Sequence, residues 1–186
     1  INLRIFNKDK IFVYGPSGVG KSTLMRIINK EIIDYKGMIT KDNIDLKNYD
    51  VSNLITYTSQ NEVLFDDSIY NNILLGTKVD EKVLNSVIKI CRIDEINVVK
   101  DIGLNSMVLN KSCISGGEIN RIILARSLIH SKNILILDEV LKEVDFKLEI
   151  DILKDLIKEY SDKTIIYISH KNVSKLFCKV LTLGKE

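Results

Sequence analysis

Nine residues near the start of the chain, Gly15-Pro-Ser-Gly-Val-Gly-Lys-Ser-Thr23, constrain it more than any other stretch. They fit G-x-x-x-x-G-K-[ST], the phosphate-binding loop. The flanks suit that motif. Lys10-Ile-Phe-Val-Tyr14 predicts a short buried strand, and Lys21 to Lys30 predicts a helix. Strand, glycine loop and helix is the order the motif requires. Glycines let backbone N–H groups turn towards phosphate oxygens with no Cβ in the way. The helix start adds free N–H groups and a positive dipole end. Gly15, Pro16, Ser17, Gly18, Val19 and Gly20 would form the cradle. Lys21 would reach the β- and γ-phosphates, Ser22 would place its hydroxyl on Mg²⁺, and Thr23 would lie near the α-phosphate.

Composition narrows the class. The 186 residues are 45% hydrophobic, enough for one sizeable core, in one lobe or two. A formal charge of +2 is near neutral and advertises no nucleic-acid partner. No apolar run approaches the roughly 20 residues of a membrane span. Cys91, Cys113 and Cys178 are odd in number and scattered, which fits reduced thiols better than a zinc site. The chain opens at Ile1, directly in an apolar pattern, and so reads as a piece of a longer polypeptide.

Residues 1–6 alternate as an edge strand would. The stretch from Lys36 predicts a hairpin returning near Leu46, and Asn53 to Thr58 predicts a strand running into Gln60. Asp67 to Leu75 predicts a short helix capped by Asp67 or Ser68, and Asp80 to Arg92 a helix capped by Asp80. Residues 93–112 predict short helices and loop. Gly116 to Ile129 predicts a strong helix. Asn133 to Leu137 is continuously apolar, as a strand buried on both faces is, and ends in Asp138-Glu139. Phe146 to Tyr160 predicts an amphipathic helix, Lys163 to Ser169 a buried strand ending at His170, and Val180 to Leu183 a last strand. Alternating strands and helices give a largely parallel α/β sheet.

Five elements now stand in a fixed order: the phosphate loop, Gln60 after a strand, Cys113-Ile-Ser-Gly-Gly-Glu118, Ile134-Leu-Ile-Leu-Asp-Glu139, and Ile168-Ser-His170. This series resembles the nucleotide-binding domain of an ABC transporter along nearly the whole chain. Arg121 and Ala125-Arg126 also match the helix after that family's signature motif. The resemblance implies the ABC ATPase fold: a P-loop NTPase core with a mainly parallel sheet, a small antiparallel β part and an α-helical subdomain at about 61–125. It implies one ATPase domain over 1–186, lacking its N-terminal part, with ATP and Mg²⁺ as cofactors.

The chemistry fits that reading. Phosphoryl transfer to water needs a cradle, a metal, a group that activates water, and charge at the γ-phosphate. Asp138 can hold Mg²⁺ through its water shell. Glu139, facing the other way by strand alternation, can act as general base. Gln60 would touch the metal or the water, and His170 would contact the γ-phosphate and hold Glu139 and the water in line. Ser115, Gly116, Gly117 and Glu118 precede or open a helix and offer N–H groups to an anion. In the family, that signature completes the ATP site of the opposite subunit. The implied partners are therefore a second copy, as a homodimer, and a transmembrane domain at the cytoplasmic face of the membrane.

Leu64 to Gly76 resembles the exporter segment L-F-x-x-[ST]-I-x-x-N-I, which docks on the membrane domain. The resemblance implies an ATPase half like that of bacterial peptide or bacteriocin exporters, which lipid and drug exporters share. Abundant Ile, Lys and Asn point to a bacterial source. An alternative is a soluble ABC-class ATPase acting on DNA or ribosomes; a further one is a plain P-loop kinase or GTPase. The departures from the family pattern are Glu118 for Gln, which adds a negative charge, and Lys142-Glu143 for small residues before Asp145. The aromatic that stacks on adenine would lie upstream of Ile1.

Overall fold

The computed structural model describes residues 1–108 and 114–184. The chain folds as two compact units, one of Ile1–Tyr57, Lys132–Asp138 and Ser161–Glu186, the other of Thr58–Ser131 and Glu139–Tyr160.

The first unit is built on a sheet. Its strands are β1 (Lys10–Tyr14), β4 (Ile55–Thr58), β5 (Ile134–Asp138), β6 (Thr164–Ile168) and β7 (Lys179–Thr182). They lie in the order β4-β5-β6-β1-β7. β1 pairs in parallel with both β6 and β7, and β5 in parallel with β6. Parallel strands bury both faces, which explains the continuous apolar runs ILIL and TIIYI. Alternation along β1 sorts its side chains. Ile11 and Val13 join Ile136, Ile166, Ile168 and Met25 in one core cluster. Phe12 lies 5.6 Å from Phe177 and 6.5 Å from Tyr167, ring centroid to centroid, in a stack with both. Helix α1 (Lys21–Ile28) follows β1, and a small antiparallel hairpin pairs β2 (Thr40–Lys41) with β3 (Ile44–Asp45).

The second unit is helical: α2 (Ile69–Leu74), α3 (Glu81–Ile90), α4 (Asn97–Ile102), α5 (Gly116–Ile129) and α6 (Phe146–Glu159). Ser68 caps α2 and Asp80 caps α3, each accepting a backbone N–H. Helix α5 is the unit's centre, buried at every residue from Asn120 to Leu128. Burial on all sides obliges its polar residues to find partners. Arg126 does so through Nε to Asn72 O at 2.8 Å, one terminal nitrogen to Asn72 Oδ1 at 2.8 Å and the other to Val63 O at 2.9 Å. Ser127 Oγ accepts from Thr58 at 2.7 Å and donates to Ile123 O at 2.8 Å.

Two sequence expectations change. Residues 1–6 form no strand: Phe6 N–H donates instead to Asp9 Oδ2 at 2.7 Å, and Asp9 N–H to Phe6 O at 3.2 Å, closing a turn. Alternation supplies a face but no ladder partner, and a strand needs both. Nor does strand alternation set the direction of Glu139. β5 ends at Asp138, and Glu139 has φ 53°, in the left-handed region.

Phe12 is fully buried and anchors the aromatic stack. Phe12→Ala is expected to destabilise the chain by about 3–5 kcal/mol in urea unfolding.

Candidate functional site

The parallel register places several chemically active residues at one edge of the sheet. Val13 pairs with Ile168, and Ile168 with Asp138. These pairs mark the C-terminal ends of β1, β6 and β5, so the loop from Gly15, the carboxylate of Asp138 and His170 all leave the sheet on that edge. Open α/β sheets bind ligands outside the carboxyl ends of their strands.

The loop between β1 and α1 is shaped by two different glycine requirements. Gly18 and Gly20 have φ 78° and 97° with open space where a Cβ would lie, so backbone conformation alone demands glycine there. A Cβ on Gly15 would come within 2.6 Å of Leu183 O, so close approach demands it there. Gly20 caps α1 with no side-chain bond, and no acidic residue occupies the first turn. The helix start therefore presents N–H groups and a positive dipole to an incoming anion. Lys21 is buried, and its Nζ donates to Gly15 O at 2.9 Å and Pro16 O at 3.0 Å. Its ammonium thus lies over the cradle. Ser22, next in the helix, is half-buried, whereas Thr23, Pro16 and Ser17 are exposed.

Asp138 is fully buried. Tyr57, on the neighbouring strand β4, donates its hydroxyl to Asp138 Oδ2 at 3.2 Å. Burial, and then the adjacent carboxylate, push the Tyr57 phenol above its usual value. His170 is exposed, two residues beyond the end of β6, after the buried Ser169.

The remaining candidates belong to the helical unit. Gln60 is exposed, two residues beyond β4, and its carbonyl accepts from Lys142 Nζ at 3.2 Å. Glu139 is half-buried. Ser115 caps α5 in a full capping box: Glu118 N–H donates to Ser115 Oγ at 3.3 Å, while Ser115 N–H donates to Glu118 Oε2 at 2.7 Å. The Ser115 hydroxyl also lies 2.9 Å from Oε2, and Arg121 reaches Oε1 at 3.8 Å. The Glu118 charge is thus spread over local donors. Gly117 is required sterically, since a Cβ would meet the backbone carbonyl of Glu143 at 2.9 Å. Over Gly116 the Glu143 carboxylate itself fills the Cβ space. Ser115, Gly116, Gly117, Glu118, Arg121 and Glu143 are among the residues lining a cavity of about 380 Å³. Cys113, the first residue of the signature stretch, lies outside the described residues.

Tyr57 beside Asp138 was not legible in the sequence. Tyr57 read only as part of a strand, because its partner is 81 residues away.

The family model for "ABC transporter" matches residues 1–142. The chain belongs to the ABC transporter family. The fold of an ABC ATPase matches too. A solved bacterial Atm1-family ABC exporter with ATP bound superposes with a TM-score of 0.82 at 28% identity, over 95% of this chain and 32% of that one. Among curated ABC relatives, a lactococcin-G-processing and transport ATP-binding protein of Lactococcus lactis subsp. lactis is 32% identical over 200 residues, covering 100% of this chain and 27% of its own length. An ATP-dependent lipid A-core flippase of Wigglesworthia glossinidia brevipalpis is 35% identical over 178 residues, covering 92% of this chain and 30% of its own. The chain spans about a third or less of the length of these ABC proteins.

Glu118→Ala removes the side-chain half of the α5 capping box, whereas Glu118→Gln can retain it. Thermal unfolding is expected to show a loss of about 1 kcal/mol for the alanine variant and a smaller loss for the glutamine variant.

Proposed function

We propose that this chain is the ATP-binding and ATP-hydrolysing module of an ABC-type membrane exporter, working as one of a pair. The observation that carries the reading is the shared sheet edge: the phosphate loop under Lys21, the buried Asp138 and His170 all leave the strands there. The relatives named above support the export assignment, because transport or flipping stands in their names.

Each residue takes a definite part. Backbone N–H groups of residues 15–20 and the start of α1 receive the phosphates. Lys21 exchanges its carbonyl partners for β- and γ-phosphate oxygens. Ser22 and Asp138 would hold Mg²⁺. The hydroxyl and carboxylate oxygen donors suit that ion. Mg²⁺ is commonly held by one or two protein oxygens together with substrate phosphates and water. When bound, it neutralises charge developing on the phosphate oxygens. Glu139 takes the proton of the attacking water as the γ-phosphoryl leaves ADP. Its left-handed backbone is the kind of local strain found at functional sites. Gln60 orients that water, and His170 contacts the γ-phosphate.

Ser115, Gly116, Gly117 and Glu118 form the face offered to the nucleotide of a second copy. Residues from about 61 to 125 make up the helical subdomain, and its Leu64–Gly76 segment docks on a transmembrane domain at the cytoplasmic face of the membrane. No described helix is long and apolar enough to cross a membrane.

Nucleotide titration is the direct test. Lys21→Ala is expected to weaken ATP binding about 10- to 100-fold, the worth of a lost contact to a charged group. An unchanged affinity overturns the phosphate-loop assignment. Glu139→Gln is expected to bind ATP while turnover drops about 10²- to 10⁴-fold, and to accumulate as a dimer in light scattering with Mg-ATP. Undiminished turnover would remove Glu139 from the role of general base.

A further inference from the structure

Asp138 ends β5 with none of its surface exposed, and Tyr57 on β4 reaches it with a hydroxyl. The two strands are neighbours in the sheet, so the pairing is a product of the strand order β4-β5. Among the described residues, Asp138 is the one hydrogen-bond partner of the Tyr57 hydroxyl. The Tyr57 ring packs against the cluster of Ile11, Val13, Met25, Ile55 and Ile136, which holds it in place without the hydroxyl. Rotation of a carboxylate about its Cβ–Cγ bond is soft and roughly two-fold. A hydrogen bond from a packed phenol to Oδ2 restricts that rotation and biases where the other oxygen points.

We propose that Tyr57 is a positioning residue for metal binding: its hydroxyl holds the Asp138 carboxylate in the orientation that receives the hydrated Mg²⁺ of a nucleotide complex. The inference rests on the reading of Asp138 as the carboxylate that serves the metal. Tyr57 touches neither metal nor phosphate in this scheme. It sets the metal concentration at which the site fills, and leaves the water-activating groups alone. Partners that orient a metal-serving carboxylate commonly contribute 10- to 100-fold in affinity.

The test uses the full chain with a non-hydrolysable ATP analogue and Mn²⁺, free Mn²⁺ being counted by electron paramagnetic resonance. Tyr57→Phe keeps the packed ring and removes only the hydroxyl. It is expected to raise the Mn²⁺ concentration for half-saturation about tenfold, while metal-free analogue binding stays unchanged. ATP turnover should return towards the wild-type rate as Mg²⁺ is raised. Asp138→Asn should shift the same titration further, and adding Tyr57→Phe to it should shift it no more. If Asp138→Asn leaves the titration unmoved, the assignment of Asp138 is wrong. If Asp138→Asn moves it and Tyr57→Phe lowers only the melting temperature, the hydroxyl merely satisfies a buried carboxylate and the proposal is overturned. Tyr57→Leu, which lacks the hydroxyl and the ring, provides a second variant: it should show the same metal shift with a larger loss of stability, and an unmoved titration in this folded variant counts equally against the proposal.

Discussion

The parallel pairing of β1, β6 and β5 is the constraint on which the rest depends. Each strand ends in a residue or loop with little packing value and much chemical value: Gly15 and the loop after β1, His170 after β6, Asp138 at the end of β5. A one-residue slip in either pairing would turn the apolar sets of these strands to the wrong faces. The register is therefore enforced by burial of Ile11, Val13, Ile136, Ile166 and Ile168, far more strongly than by any interaction among the polar residues. The core fixes the site, and the site residues are passengers on it.

The same division of labour governs the helical unit. Its central helix α5 begins with the signature stretch and continues as a fully buried rod. Arg126 ties that rod to Asn72 and to Val63, and its guanidinium lies 5.1 Å from the Phe65 ring. The stretch from Val63 to the start of α2 is thus held by a buried cation and not by regular secondary structure of its own. Such an arrangement lets a loop near Gln60 keep a defined path. The Lys142 ammonium on the Gln60 carbonyl adds a second tether from the segment that follows Glu139.

The departures from the family pattern take on physical content in this setting. Glu118 introduces a carboxylate where the family has an amide, yet its oxygens are already bonded by the Ser115 backbone and hydroxyl and approached by Arg121. Glu143 replaces a small residue, and its carboxylate rests on Gly116 while its backbone presses on Gly117. Gly117 is consequently explained by close approach of the residue 143 backbone as well as by any role towards an anion, whereas over Gly116 only the flexible Glu143 side chain stands in the way.

The sequence alone determined the motif order, the class of fold and nearly every element, because local signals carried them. The phosphate loop has glycines only a left-handed turn demands, and ILILD and TIIYIS read as buried strands without any knowledge of neighbours. Capping side chains at Ser68 and Asp80 marked two helix starts. What local patterns could not decide were pairings. The alternation of residues 1–6 promised a strand, but no strand is laid beside it to complete a ladder among the described residues. Glu139 leaves the strand through a left-handed turn that alternation cannot anticipate. The hydrogen bond of Tyr57 to Asp138 exists only because the tertiary structure places β4 next to β5, bridging 81 positions of sequence. Motifs are written in consecutive residues and survive reading one chain at a time; a hydrogen bond between strands is written in the sheet order, which only the packed core decides.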